Sequence, residues 1–314
     1  MEKRKVYSEQ VVTNIRTKLN SCLKDDPFSS LDISVIVNGS FGRNEASEVS
    51  DMDWFIVAKS KLDSSTTEQL RETVHNIVTS FVPKNCGNTG TFGGVVTEDE
   101  LLENFGGDVD TNQKFTRRML LLLESKWLFN EELYSYIKNE VLSKYIKEGV
   151  PDSGLNRFIL NDVIRYYRTI CTDYEYKVYE DGKKWGVRKI KLRFSRKLLY
   201  FSGLLTVADT ASLSRNLKIE KTASLLDLSP IDRIIKILGE SETSKMMEFY
   251  YEFLDKISEE SIRNSLDSVE RENRNENDDY RYLKNLSEHF NWEMEKCFYQ
   301  KFPPSHPIHA AMIF

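Results

Sequence analysis

The amino-acid sequence predicts an α+β fold, with a small mixed β-sheet in its first third and helices in the rest of the chain. Two runs rich in β-branched and aromatic residues, 31–37 and 54–58, have the composition of buried strands. A third short run, 91–96, lies within a glycine-rich segment, 84–107, and predicts another strand. From Phe115 onward apolar residues recur at helical spacing, and strand signals are few.

Two helices are predicted around these strands. One covers 11–23, and the other covers 64–81 and ends before Pro83. Helices and strands in this order favour a small mixed sheet backed by helices. The later change of pattern predicts two domains, 1–112 with the sheet and 113–314 as an all-α helical bundle.

The helical half is predicted in several pieces. The run 115–129 has a helical pattern throughout, and Pro230 marks the start of another helix. Helices are also expected over 241–257 and 281–298. The tail 301–314 contains three prolines, and we expect it to lie extended against the bundle.

Composition limits the class of protein. The chain has 314 residues and a formal net charge of −5, so binding of nucleic acid over much of the protein surface is not indicated. No apolar run approaches the ~18 residues that a membrane span needs, and the first ten residues lack the apolar core of a signal peptide. The four cysteines include no CxxC pair and fit reduced thiols. We therefore expect a soluble cytoplasmic protein without a membrane partner.

The stretch 35–57 carries the chemistry of the predicted site. Gly39 and Ser40 follow the first strand directly, and exposed backbone N–H groups with a serine hydroxyl can hold phosphate oxygens. Asp51 and Asp53 are two residues apart at the start of the second strand, so both side chains should project from one face. Neighbouring carboxylates suit Mg²⁺, which takes one or two protein carboxylates together with substrate phosphates.

Together with Arg43, Glu45 and Ala46, this ordered motif resembles the GS…RxEA…SDxD signature of the polymerase-β-like nucleotidyltransferase superfamily. The spacing is closest to the minimal nucleotidyltransferases and adenylyltransferases of bacteria.

The resemblance implies a nucleotidyltransferase core that moves an NMP, by preference AMP from ATP, to a hydroxyl acceptor and releases pyrophosphate. It implies that Asp51 and Asp53 are catalytic and bind Mg²⁺, with Mn²⁺ as an alternative, and that Gly39 and Ser40 bind the nucleotide. Arg43 could pair with phosphate or, as an exposed loop residue, with Glu45. The acceptor stays open between a protein side chain, a small molecule and an RNA end.

The family's third carboxylate has no clear counterpart. The third predicted strand contains no acid, although Glu98–Glu100 follow it and Asp108 and Asp110 come soon after. Glu98–Glu100 also suit the first turn of a helix capped by Thr97. The missing acid favours an alternative function, a catalytically impaired nucleotide-sensing or partner-binding module with this fold.

The segment 183–197 is strongly basic, with eight Lys or Arg among fifteen residues and no acid. Like charges so close together repel, so an anionic partner is expected. Three partners stay open: the triphosphate of a nucleotide, held by Arg188 and Lys191; nearby acids such as Asp173; and a nucleic-acid backbone, which the modest basic content does not favour. The family resemblance implies that the helical domain closes over the nucleotide. The acceptor hydroxyl also needs a general base, which an acid of the helical half such as Asp162 or Asp173 could supply.

Overall fold

The computed structural model describes residues 1–84, 91–147, 152 and 154–313, and has a mixed α+β fold. The chain divides into two compact units, 1–147 and 148–314. This division differs from the boundary predicted after residue 112, because a strand at Lys126–Phe129 pairs with the first strand of the sheet.

The first unit contains a four-stranded sheet and six helices within its described residues. The strands are β1 (Ile33–Asn38), β2 (Asp53–Ala58), β3 (Val95–Thr97) and β4 (Lys126–Phe129). The helices are α1 (Glu2–Leu23), α2 (Gly39–Gly42), α3 (Ser64–Phe81), α4 (Glu98–Leu102), α5 (Asn112–Glu124) and α6 (Glu131–Tyr145). The strand order is β3-β2-β1-β4, with β1 antiparallel to β2 and to β4 and β2 parallel to β3. The predicted small mixed sheet is confirmed.

One face of β1 and β2 packs against α1 and α3. The side chains that share this core include Val35, Val37, Trp54, Ile56, Ile15, Leu19, Leu70 and Val74. Each of them is almost wholly excluded from solvent. Burial of one such aliphatic side chain is worth about 1.5–3 kcal/mol, so this core holds the two strands of the predicted site in fixed register.

Two predicted segments differ from the structure. The run 115–129 is not one helix, because α5 ends at Glu124 and the next residues form β4. A short Trp-Leu-Phe run suits either structure, and here pairing with β1 decides it. The tail is not wholly extended either, because Pro307–Ile313 form a helix that has proline in its first position.

Every regular element among the described residues of the second unit is a helix. They are α7 (Arg157–Tyr179), α8 (Trp185–Lys191), a π-helical turn (Leu192–Arg196), α9 (Lys197–Asp209), α10 (Arg215–Asp227), α11 (Pro230–Leu238), α12 (Glu240–Lys256), α13 (Glu260–Asp267), α14 (Asp278–Lys301) and α15 (Pro307–Ile313). The helix start predicted at Pro230 is confirmed. No helix in the described part of the chain is long and apolar enough to cross a membrane.

Candidate nucleotide site

The end of β1 lies beside the start of β2, where the predicted site residues are concentrated. Asn38 pairs with Asp53 in the antiparallel register, so their side chains project from the same face of the sheet. Trp54 belongs to the core with α1 and α3, and Asp53 therefore lies on the opposite face. Met52 is fully buried while Asp51 and Asp53 are half-buried, as the alternation predicts.

Gly39 brings the backbone directly against the Asp53 carboxylate. Its φ of 67° lies in the left-handed region. A Cβ placed on Gly39 would be 3.2 Å from Asp53 Oδ2. Ser40 follows in the one-turn helix α2 and is half-buried. The tight turn and one of the two predicted carboxylates are thus in contact.

Asn38 adds a feature that sequence reasoning missed. Its side chain is 1% exposed, and neither Oδ1 nor Nδ2 has a hydrogen-bond partner among the described residues. Leaving a buried polar group unpaired costs about 1–3 kcal/mol, so such groups call for a physical reason. The pairing with Asp53 places this amide at the candidate site. An Asn at the end of a buried strand was the available sequence signal.

Arg43 has two carboxylate partners in a buried cluster. Its Nε donates to Glu45 Oε2 at 2.7 Å, and its Nη1 donates to Glu124 Oε2. All three side chains are at least nine-tenths buried. Of the two alternatives left by the sequence, the structure therefore contains the pair with Glu45, although Arg43 is buried and not an exposed loop residue. Glu124 was not foreseen, because 81 residues separate it from Arg43.

Further contacts fix the loop that follows α2. Ala46 N donates to Ser8 Oγ of α1 at 3.1 Å. Gly42 packs so closely that a Cβ there would be 2.0 Å from the backbone O of Glu124. The RxEA part of the motif therefore ties the loop to α1 and to the end of α5. In this fold these residues position the turn that carries Gly39.

The acids considered for a third carboxylate have structural partners. Glu100 and Thr97 form a reciprocal capping box at the start of α4, which confirms the helix-capping alternative. Glu98 accepts a hydrogen bond from the Tyr136 hydroxyl at 3.1 Å. Asp110 is buried against Arg118, whose Nη2 lies 2.7 and 2.8 Å from its two carboxylate oxygens.

Among the described residues, no group of three His, Cys, Asp or Glu side chains is arranged to hold a metal ion. Asp51 and Asp53 can offer two carboxylates. Mg²⁺ in nucleotide sites commonly takes one or two carboxylates and completes its shell with phosphates and water. The donor set therefore fits a Mg²⁺ ion that arrives with a nucleotide, and not a metal site made by the protein alone.

Gly93 and Gly94 of the glycine-rich segment lie along the edge of β2. Gly93 N donates to Trp54 O at 2.7 Å, and Ile56 N donates to Gly94 O at 2.9 Å. Arg117 Nε holds Thr91 O at 3.0 Å from the other side. Burial lowers the pKa of Arg117, and nearby Glu100 opposes that shift. Residues 85–90 of this segment, which include Cys86, lie outside the described residues.

Arg188 and Lys191 lie in α8 of the second unit and are half-buried. Arg188 Nε is buried and has no hydrogen-bond partner among the described residues. Asp173 is one of the acids expected to neutralise the basic segment. Its Oδ2 lies 2.5 Å from Nζ of Lys177 on the same helix, α7. The other candidate base, Asp162, is buried with its Oδ1 3.8 Å from Arg165 Nη1.

No family model matches the chain, and no curated protein has a significantly similar sequence. The candidate site is therefore defined by its geometry. It consists of a half-buried carboxylate against a left-handed glycine, a second carboxylate two residues earlier and a buried amide across the strand pair. This arrangement can bind a cation on one side and phosphate oxygens on the other.

Proposed function

We propose that this protein is a Mg²⁺-dependent nucleotidyltransferase that moves AMP from ATP to a hydroxyl acceptor and releases pyrophosphate. The observation that carries the proposal is the contact between Gly39 and Asp53, where the SDxD carboxylates meet the Gly-Ser turn. A carboxylate beside such a turn can bring a cation next to a phosphate chain. The sheet and its α1–α3 core supply the rigid support that such a site needs.

In the proposed reaction the acceptor oxygen bonds to the α-phosphorus as the bond to pyrophosphate breaks. Pyrophosphate leaves with the electron pair, and a base takes the hydroxyl proton. Asp51 and Asp53 would hold Mg²⁺ or Mn²⁺, which supplies neutralisation of the phosphate charge when bound. Gly39 and Ser40 would orient the β- and γ-phosphates through a backbone N–H and a hydroxyl.

Arg188 and Lys191 of the second unit stay predicted phosphate-binding residues of the basic segment. The unpaired Nε of Arg188 supports this role, because a buried guanidinium N–H gains from an anionic acceptor. Arg43 is not included, since its guanidinium is held by Glu45 and Glu124. The acceptor stays open between a protein side chain, a small molecule and an RNA end. We infer a cytoplasmic location from the proposed use of ATP and from free thiols such as that of Cys22.

Labelling separates the candidate substrates. The protein is incubated with each of the four NTPs labelled at the α-phosphate, with Mg²⁺ and a cell extract. We expect label from ATP to appear on an acceptor, together with an equal amount of pyrophosphate, and EDTA to prevent both. Gel analysis before and after protease or RNase treatment identifies the class of acceptor. If no NTP labels any acceptor and no pyrophosphate appears, the proposal is wrong.

A second candidate is a nucleotide-sensing or partner-binding module without catalysis. It is favoured by the absence, among the described residues, of a three-acid group that could hold metal. For a sensor we expect ATP to bind in the presence of Mg²⁺ and to be recovered intact after long incubation. Calorimetry combined with the pyrophosphate assay distinguishes it from the enzyme.

Gly39→Ala is expected to impair both stability and turnover. An alanine in the left-handed region costs about 1–2 kcal/mol, and its Cβ would press on the Asp53 carboxylate. Gly182→Ala is the matched control, because Gly182 has φ 60° but nothing within 4 Å of an added Cβ. Both variants should lose stability in denaturant titrations, Gly39→Ala at least as much as Gly182→Ala, and Gly39→Ala alone should lose AMP transfer. Equal turnover in the two variants would exclude a role for this turn in the site.

A further inference from the structure

The second unit contains a pocket of about 280 Å³ whose lining is dominated by positive charge. It is lined by Trp185, Lys189, Arg193, Arg271, Arg274, Tyr280 and Lys284. Five of these seven residues are cationic, and none is acidic. We call it the cationic pocket.

Three separate segments of the second unit converge on the cationic pocket. α8 supplies Lys189, and the π-helical turn after it supplies Arg193. The connection between α13 and α14 supplies Arg271 and Arg274, and α14 supplies Lys284. Single π-helical turns inside α-helices occur frequently at functional sites.

The described residues of the second unit compensate the pocket's cations only in part. Arg193 Nη1 bonds to the neutral Ser287 Oγ at 3.2 Å, and its Nε has no hydrogen-bond partner among the described residues. Arg271 Nη1 bonds to the Tyr179 hydroxyl at 2.6 Å. Lys284 Nζ lies 4.0 Å from Glu288, at the limit of an ion pair.

Electrostatics at Lys189 agree with an excess of positive charge. Burial lowers the pKa of this amine first, and Arg193 lowers it further, while Glu175 opposes the shift. Arg271 also lowers it. Cations that repel one another in this way gain most from a shared polyanion.

Two buried aromatic side chains form part of the lining of the cationic pocket. Trp185 and Tyr280 are 7% and 2% exposed, and their ring centroids lie 5.2 Å apart. The backbone O of Trp185 is held by the Tyr174 hydroxyl at 3.1 Å. Because both rings are buried, they leave little aromatic surface for a base to stack on.

We propose that the cationic pocket binds an oligophosphate group, two or three linked phosphates, on the second unit. The convergent guanidinium and ammonium groups match phosphate oxygens in charge and hydrogen-bonding capacity. The volume lies just below the ~300–1,000 Å³ usual for drug-sized ligands, which suits a phosphate chain better than a whole nucleotide. The proposal goes beyond the AMP transfer proposed above and does not depend on Asp51 or Asp53.

The oligophosphate could be inorganic or could be the tail of a nucleotide, and binding measurements distinguish the two sources. Inorganic triphosphate and ATP are titrated separately into the full-length protein by calorimetry, at low salt with EDTA. Removal of divalent ions keeps the Asp51–Asp53 site from contributing. Tighter binding of inorganic triphosphate identifies the free anion, and tighter binding of ATP identifies the nucleotide tail.

The variants Arg271→Gln and Lys284→Gln test the location of the site. Both side chains reach solvent, so their replacement should leave the fold intact. We expect each to weaken triphosphate binding roughly tenfold, the effect of losing one charged hydrogen bond. Arg281→Gln is the control, because Arg281 lies on α14 like Lys284, pairs with Asp278 and does not line the pocket. Asp53→Asn should bind triphosphate as tightly as the wild type does. This result tests the cationic pocket independently of AMP transfer.

Two results would overturn the oligophosphate proposal. The first is that the pocket variants and Arg281→Gln have the same affinity for triphosphate, or that neither these variants nor the wild type binds it. The second is that the wild-type protein binds a single-stranded RNA oligonucleotide but not triphosphate, and that the pocket variants lose the RNA binding. That result would make the pocket part of a nucleic-acid surface.

Discussion

Asp53→Asn is expected to lower Mg²⁺-dependent AMP transfer by roughly a hundredfold to a thousandfold, the order of loss seen when a group that stabilises transition-state charge is removed. Asp53 is half-buried and lies against Gly39, so the amide fits the same space but removes the charge that would hold the cation. Asp51→Asn should act in the same direction. Pyrophosphate release, measured at saturating ATP with the acceptor found by labelling, gives the loss directly.

The control for this prediction is Asp32→Asn. Asp32 precedes β1 at the end of the sheet remote from Asn38, and its exposed carboxylate forms a surface pair with Lys59 at 3.5 Å. Such a pair contributes about 0–1 kcal/mol, so this variant should keep both its fold and its activity. Turnover that survives in the double variant Asp51→Asn/Asp53→Asn would rule out the proposed mechanism. Loss of turnover accompanied by unfolding in Asp53→Asn would instead make the carboxylate structural.

The central part of the fold was accessible from the sequence because local signals there agree with one another. β1 and β2 are β-branched and aromatic, and both pack against amphipathic helices that the pattern also predicts. The positions of Met52 and its two acidic neighbours follow from alternation alone. The local sequence pattern was therefore enough to predict that the Gly-Ser turn and the two acids lie at adjacent strand ends.

The parts that escaped prediction depend on contacts distant in sequence. β4 is a strand because β1 offers it a partner, and nothing within Lys126–Phe129 excludes a helix. The placement of Glu124 beside Arg43 depends on the end of α5 packing on Gly42. The cationic pocket joins Lys189 to Arg271 across a long stretch of chain, and the basic run alone gave no reason to include the later arginine.

Arg43→Met is expected to destabilise the first unit by about 3–5 kcal/mol, the usual cost of removing one partner from a buried ion pair. The variant leaves Glu45 and Glu124 buried side by side without their shared cation. Hydrogen exchange at the amides of β1 and β2 measures the change, because it reports on this unit even if the two units unfold separately.

Arg71→Met provides the comparison for an exposed arginine. Arg71 pairs with Glu68 at 2.6 Å on the surface of α3, where both side chains are about half exposed. A surface pair of this kind is worth about 0.2–1 kcal/mol, so the exchange rates of β1 and β2 should hardly change. The difference between the two variants isolates the effect of burial.

The double variant Arg43→Met/Glu124→Gln decides between a positioning role and a phosphate-binding role for Arg43. If Arg43 serves to neutralise the buried acids, removing the Glu124 charge should restore part of the lost stability, since the two changes act on one interaction. The restored protein should then bind ATP with a nearly normal KM, because the loop that carries Gly39 is again held in place. A phosphate-binding Arg43 would behave oppositely: Arg43→Met would cost little stability, raise the KM for ATP, and gain nothing from the change at Glu124.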